Sequence, residues 1–331
     1  MGEHEEPPIL ARFKSVEVWV PHRITGFFQI VDTGSERLLA DQARMGSRGG
    51  GPSLTAFGKT KLILTPNRNT KSKITIYIND LESTAIANTT MDVLQIFLEY
   101  TGAVPYDIEV RHNFDLPSGC GYGASGAGAL GASVAFSIAF NLSLSLWECG
   151  KVAHVAEVRN KTGLGTVGGQ ILGGFSITTK AGYPFRLDYM FVPEDLRVVI
   201  CSFGPISTKA ILTDPEHSKK IKMVGAYAMD QIHKKFDYIQ FMKISRMFLK
   251  ETNLINALKI WDVQSLLNDL SDVDTSGASM NMFGKSIFVL CKQSKVNDVI
   301  QIMENAKPLY APQVLSVCNH GPLIKKLEEW D

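Results

Sequence analysis

Residues 116–147 read LPSGCGYGASGAGALGASVAFSIAFNLSLSLW and carry no charged side chain. Three readings compete for them: a membrane helix, a buried core helix behind a tight glycine turn, and a backbone cradle for an anion. Positions 124–147 are long enough to span a bilayer. They also hold five serines, one asparagine and three glycines, and no basic residue flanks them closely at one end. No second apolar segment of that length follows, so the membrane reading is set aside. The core-helix reading stays open. The cradle reading rests on order: a proline, then glycines at 119, 121, 123 and 126, with Ser125 at the start of a long helix. Glycines let backbone N–H groups converge where a Cβ would block approach. A helix N-terminus adds unpaired donors and partial positive charge. A charge-free helix behind such a site is then one packed in the core. The stretch is not a Walker A loop, because G-x-x-x-x-G-K-[ST] is absent, and no acidic residue follows at dinucleotide-site spacing.

The rest of the chain narrows the partners. Its 331 residues suffice for two domains. Lys plus Arg number 34 against 33 Asp plus Glu, which argues against nucleic acid or a charged membrane surface as the main partner. The five cysteines are scattered and never form C-x-x-C, which suits free thiols in a reducing cytoplasm. The histidines show no H-x-x-x-H spacing, so a protein-ligated transition metal is not expected. The acidic start, MGEHEEPPIL, lacks the basic-then-apolar order of a signal peptide and reads as a solvated extension over 1–12.

Short β-rich runs fill the first half: 16–20, 24–31, 61–65, 73–79 and 106–112. Helical spacing marks 89–102 and 145–163, each closed by glycine, and 168–179 reads as a strand entered through paired glycines. Beyond about 185 the order becomes strand (196–203), helices (216–250 and 253–270), strand (285–291), helix (295–306), strand (313–318). That order suggests a two-layer α+β domain. The expected division is an N-terminal domain over 13–185 and a C-terminal domain over 186–331.

PSGCGYGASGAG resembles the P-x-x-x-G-x-G-x-S motif of the GHMP kinases. VPHRITGFF (20–28) is similar to that family's first-strand motif, and DTSGASMNMFGKSIFVL (274–290) to its late glycine-containing loop. ITGFF, GSRGGG (46–51), TGLGTVGGQ (162–170) and FGPISTKAIL (203–212) look like the archaeal pantoate kinase branch. The resemblance covers nearly the whole chain beyond the first dozen residues. It implies an α+β GHMP kinase fold: a ribosomal-S5-like β/α domain followed by a ferredoxin-like domain. It also implies ATP and Mg²⁺ as cofactors and a small hydroxy acid as acceptor, and leaves a homodimer open.

Carried over position by position, the resemblance places the nucleotide over Pro117, Gly119, Gly121, Tyr122, Gly123, Ala124, Ser125 and Gly126. Ser125 and Glu157 would ligate Mg²⁺, a hard cation that takes oxygen. Phosphoryl transfer asks mainly for positioning and charge neutralisation. Arg23 falls where mevalonate kinases carry a lysine beside the reacting hydroxyl and pantoate kinases tend to have histidine. Arg48, on a glycine-rich loop, suits a bidentate grip on a carboxylate or phosphate. His22, Ser207, Thr208 and Lys209 complete the expected acceptor pocket. Against Arg23, Ser207, Thr208 and Lys209 stands the plain alternative of a surface residue, and for Glu157 a solvated helix face.

One departure bears on the chemistry. Thr166 occupies the position of the aspartate base of mevalonate kinases, and pantoate kinases usually show TGLGDV where this chain has TGLGTV. Either another group takes the proton, or transfer proceeds without a dedicated base, as in homoserine kinases of the family. Losing an acid at 166 and gaining a guanidinium at 23 both make the site more positive. The first expectation is therefore a mevalonate 3-phosphate 5-kinase, with pantoate kinase as the alternative. A non-catalytic nucleotide sensor is the third reading, disfavoured because Ser125 and Glu157 are retained.

Overall fold

The structure is a computed structural model that describes residues 9–31, 39–68, 71–102, 104–206 and 215–330. Its first layer is a sheet in the order β13–β1–β3–β6–β4–β5. These strands are β1 (Phe13–Arg23), β3 (Gly46–Pro66), β4 (Ile74–Ile78), β5 (Leu81–Glu82), β6 (Tyr106–Phe114) and β13 (Leu323–Glu329). All pairs are antiparallel except β4 with β6. Helices α2 (Asn88–Thr101), α3 (Ala124–Ala139), α4 (Leu146–Asn160) and α5 (Thr166–Leu172) belong to the same layer pair and share its core.

Helix α3 settles the opening question. It is 16 residues long, about 24 Å at 1.5 Å per residue, and only Ala124, Ser125 and Ile138 escape burial. No helix among the described residues is long and apolar enough to cross a membrane. Its small residues allow close approach to the sheet: a Cβ on Gly131 would lie 2.4 Å from Thr60 Oγ1, and one on Gly128 3.3 Å from the His112 ring. The missing charges thus reflect a helix buried against β1 and β3. Helix α4 starts with a capping box, Ser145 with Glu148, and ends at Lys161 in the left-handed region rather than at a glycine.

Strand β3 is 21 residues long and absorbs GSRGGG, which the sequence reading had made a loop. Its first part pairs with β2 (Phe27–Val31) and β7 (Phe175–Lys180), and its second part with β1 and β6. The glycines serve this crossing: a Cβ at Gly51 would sit 2.7 Å from Ile24 O, and one at Gly50 2.6 Å from Arg23 Nη2. The expected strand over 168–179 is likewise corrected. Residues 166–172 are helix α5, and the strand begins only after Gly173 and Gly174, both left-handed (φ 73° and 75°). Gly168 and Gly169 are glycines inside a helix because Phe185 and Arg23 pack where larger side chains would be.

The second sheet runs β10–β11–β9–β12, all antiparallel. Its strands are Gly277–Met280, Lys285–Lys292, Leu196–Gly204 and Tyr310–Leu315 in that spatial order. With the helix at Val296–Asn305 and those between 215 and 269, this is the split βαββαβ order of a ferredoxin-like domain. The expected helix over 216–250 breaks at 235–237, where Asp237 caps a new one by accepting from Gln240 N at 2.7 Å. The division at 185/186 is crossed by the chain: β8 (Arg186–Tyr189) pairs with β7, and β13 returns to pair with β1. All five cysteines are buried and free.

Candidate active site

A cavity of about 420 Å³ opens where the two layers meet. Its wall combines the glycine loop and first turn of α3, the turn after α4, the start of α5, the glycines of β3, and Met282 and Phe283 from the second sheet. Gly119, Gly121 and Gly123 all have left-handed φ (77°, 86° and 68°), so the loop's shape needs glycine. Each is also pressed from outside. An added Cβ at 121 would meet Gly284 N and Met282 O at 2.9 Å, and one at 123 would meet Thr166 Cγ2 at 2.6 Å.

Ser125 lies in the first turn of α3, and its hydroxyl donates to Glu157 Oε1 on α4. The Thr162 hydroxyl donates to the same oxygen at 2.8 Å, and a Cβ on Gly163 would fall 1.9 Å from Glu157 Oε2. Glu157 is 2% exposed and has no cationic partner among the described residues. Burial pushes its carboxyl pKa up, against the two hydroxyl bonds that lower it. It is therefore a buried carboxylate behind Ser125, not a residue on a solvated helix face.

Arg23 is 2% exposed and ends β1 at the cavity wall. Its Nη2 donates to Ser176 O at 2.6 Å and its Nη1 reaches Ser53 Oγ at 3.4 Å. The guanidinium lies flat against α5, since a Cβ on Gly169 would sit 2.1 Å from its Cζ. Burial lowers its pKa to about 10, which leaves it a cation at neutral pH, with no carboxylate partner among the described residues. Among the described lining residues Arg23 and Lys161 are the cations, and no Asp, Glu or His is present. Thr166 opens α5 on the same wall, facing Gly123.

Several expected site residues lie elsewhere. Adjacent strand residues face opposite ways, so Arg23 at the cavity puts His22 in the core. His22 Nδ1 donates to Tyr122 O at 3.0 Å, its Nε2 is unpartnered, and burial lowers its pKa to about 4. Arg48 sits on β3, not on a loop, with both Nε (2.7 Å) and Nη2 donating to Gln29 Oε1, and it is outside the cavity lining. Tyr122 contributes backbone, for its hydroxyl turns to Ser202 Oγ at 2.8 Å on β9. Pro117 and Gly126 are not on the wall, and Gly126 is small because Gln170 Oε1 would lie 2.6 Å from its Cβ. Ser207, Thr208 and Lys209 lie outside the described residues.

Residues missed in sequence include Lys161, Thr162, Thr178 and Phe283, all on the cavity wall. TGLGTV (162–167) is visible as a motif, but in sequence only its Thr166 stands out. Gln170 was also missed. Fully buried, it donates from Nε2 to both Pro21 O and Gly123 O at 3.0 Å and so ties β1 to the cap of α3.

The GHMP kinases N terminal domain profile matches residues 88–174. A pantoate kinase of Methanocaldococcus jannaschii is 32% identical over 199 residues, 60% of this chain and 70% of that one. A pantoate kinase of Thermococcus kodakarensis is 32% identical over 202 residues; the match spans 60% of this chain and 64% of that protein, just under two thirds of its length. A solved structure described as a phosphotransferase related to the CoA biosynthesis pathway superposes with TM-score 0.79 at 25% identity, covering 94% of this chain and 98% of the other. The chain belongs to the GHMP kinase family, with archaeal pantoate kinases among its relatives. The expected α+β GHMP kinase fold is the observed one.

Proposed function

We propose that this protein is an ATP-dependent kinase that phosphorylates the primary hydroxyl of a small branched hydroxy acid, with pantoate the first candidate. The observation that carries the kinase reading is the Ser125–Glu157 pair, which joins the first turn of α3 to α4 at a cavity whose described lining is cationic. The unpaired N–H groups of that turn would receive the nucleotide phosphates. Mg²⁺ fits the donor set. A hydroxyl and a buried carboxylate lacking a cationic partner are hard oxygen ligands, and no described group of three or more His, Cys, Asp or Glu forms an all-protein cage. When bound there, Mg²⁺ would neutralise charge on the transferring phosphate.

Arg23, pinned by Ser176 O and stacked on Gly169, would hold an anionic group of the acceptor and orient its hydroxyl for in-line attack. With no carboxylate or imidazole on the described wall, the hydroxyl proton would pass to a phosphate oxygen or to water. A loose phosphoryl-transfer transition state asks little of a base.

The two pantoate kinases and the CoA-pathway phosphotransferase support pantoate over mevalonate 3-phosphate, the sequence-based first expectation. One observation keeps the second reading: a buried, carboxylate-free Arg23 and Thr166 in place of an acid suit an acceptor with a further negative group. The test is ADP release with pantoate, mevalonate and mevalonate 3-phosphate at equal concentrations. Pantoate should give the highest kcat/KM. Preference for mevalonate 3-phosphate would reverse the order of substrates, and no turnover with any acceptor would leave the nucleotide-sensor reading.

A further inference from the structure

Of the two cations on the described cavity wall, Arg23 is held in place by Ser176 O and Ser53 Oγ and is assigned above to the acceptor. The backbone N–H of Lys161 is used in capping α4, but its ammonium has no ion pair or hydrogen-bond acceptor among the described residues. We propose that Lys161 binds the phosphate chain of the nucleotide at the Ser125 end of the cavity, an inference that rests on the kinase reading.

Placement argues for it. Lys161 caps α4 one turn after Glu157, and the two residues that follow it are built around that carboxylate. Thr162 Oγ1 bonds Glu157 Oε1 at 2.8 Å and meets Thr89 Oγ1 at 3.1 Å, while a Cβ at Gly163 would lie 1.9 Å from Glu157 Oε2. Glu157 in turn accepts from Ser125 at the start of α3. The turn is thus tied to the Ser125–Glu157 pair, and its lysine lines the same cavity as Ser125.

Conformation is the second argument. Lys161 has φ 55° and ψ 33°, the left-handed cap region where glycine or asparagine is preferred. A lysine there costs stability relative to glycine. Lys259 and Lys307 share this conformation but are not on the cavity wall, so the backbone alone does not mark a role. A lysine at a helix C-terminus also complements the helix dipole. The two explanations diverge on substitution: a cap that only complements the dipole changes stability, whereas a phosphate ligand changes nucleotide affinity.

The experiment measures Lys161→Gly, Lys161→Met and Lys161→Arg against wild type. Thermal melts without ligand report the cap. Calorimetric titration with MgATP, and separately with inorganic tripolyphosphate, reports phosphate binding without acceptor or turnover. Lys161→Gly should keep its Tm or gain a few degrees. Both Lys161→Gly and Lys161→Met, which keeps the strained backbone, should weaken tripolyphosphate and MgATP binding at least about tenfold, the loss expected for one charge-assisted contact. Lys161→Arg should stay within about threefold, since it keeps the charge. Affinities equal to wild type in Lys161→Gly and Lys161→Met would overturn the proposal while leaving the kinase reading intact. Unchanged MgATP affinity together with a raised acceptor KM in steady-state assays of the same variants would also overturn it and assign Lys161 to the acceptor. A wild-type protein that binds neither ligand would remove the kinase reading itself.

Discussion

Gly169→Ala probes whether α5 exists in its present form to support Arg23. In a helix interior, alanine is favoured over glycine by about 0.5–1 kcal/mol, so on propensity alone the change stabilises. Here the three atoms nearest the added Cβ are all from the Arg23 guanidinium, at 2.1, 2.3 and 2.4 Å, distances that force the group to move. Moving it breaks the 2.6 Å bond from Nη2 to Ser176 O, a contact to a buried charge worth about 1.5–3 kcal/mol, and the weak 3.4 Å approach to Ser53. The net expectation is a loss of about 1–2 kcal/mol. In an Arg23→Ala background the obstacle is gone, and the same substitution should stabilise by about 0.5–1 kcal/mol. Urea denaturation of the four proteins of this cycle gives the coupling, expected near 2 kcal/mol. Gly169→Ala should also reduce kcat/KM at least tenfold although the charge is retained, because orientation is lost. Equal effects of Gly169→Ala in both backgrounds would refute the argument that the guanidinium occupies that space.

Ser125→Ala should preserve the fold and cut turnover at least about a hundredfold, with a raised Mg²⁺ requirement; near wild-type rates at limiting Mg²⁺ would remove the loop from the reaction. Arg23→His should lower kcat/KM for a phosphorylated acceptor at least about tenfold more than for pantoate, because a charge-assisted contact is worth about 1.5–3 kcal/mol; an unchanged ratio between the two acceptors would take Arg23 out of substrate selection. Burial holds His22 and His112 at about 4, and also lowers His154 below its usual 6.5. The unfolded chain takes up those protons below about pH 6.5 and the folded chain only near 4, so stability is present above that window and lost as pH falls through it. Glu157, whose pKa is raised, acts in the opposite sense. Urea midpoints at pH 7, 5.5 and 4.5 should decline in that order, and a flat profile would contradict the burial of the neutral rings.

The glycine loop, the helix behind it and the family were legible in sequence because they rest on local rules. Left-handed turns demand glycine at 119, 121 and 123, and a helix buried along nearly its whole length excludes charge. The spacing of strands and helices made an α+β second layer legible, but with three strands; the fourth, Gly277–Met280, is only four residues long and escaped the pattern. Facing and closure were decided only by tertiary structure. The pleat of β1 sends Arg23 to the cavity and His22 into the core, and a string of residues does not say which neighbour is which. GSRGGG looked like a loop because glycine is common in loops. In the fold it is the stretch of β3 that pairs with β2 and β7 before the strand goes on to β1 and β6, so Arg48 meets Gln29 instead of a ligand. The short α5 looked like a strand because the reason for its paired glycines, Phe185 and Arg23 pressing on one helix face, comes from residues 16 or more positions away. For the same reason Lys161 escaped notice: a lysine at a helix end is ordinary in sequence. It becomes part of a site only when the fold brings its turn against Glu157 and the start of α3.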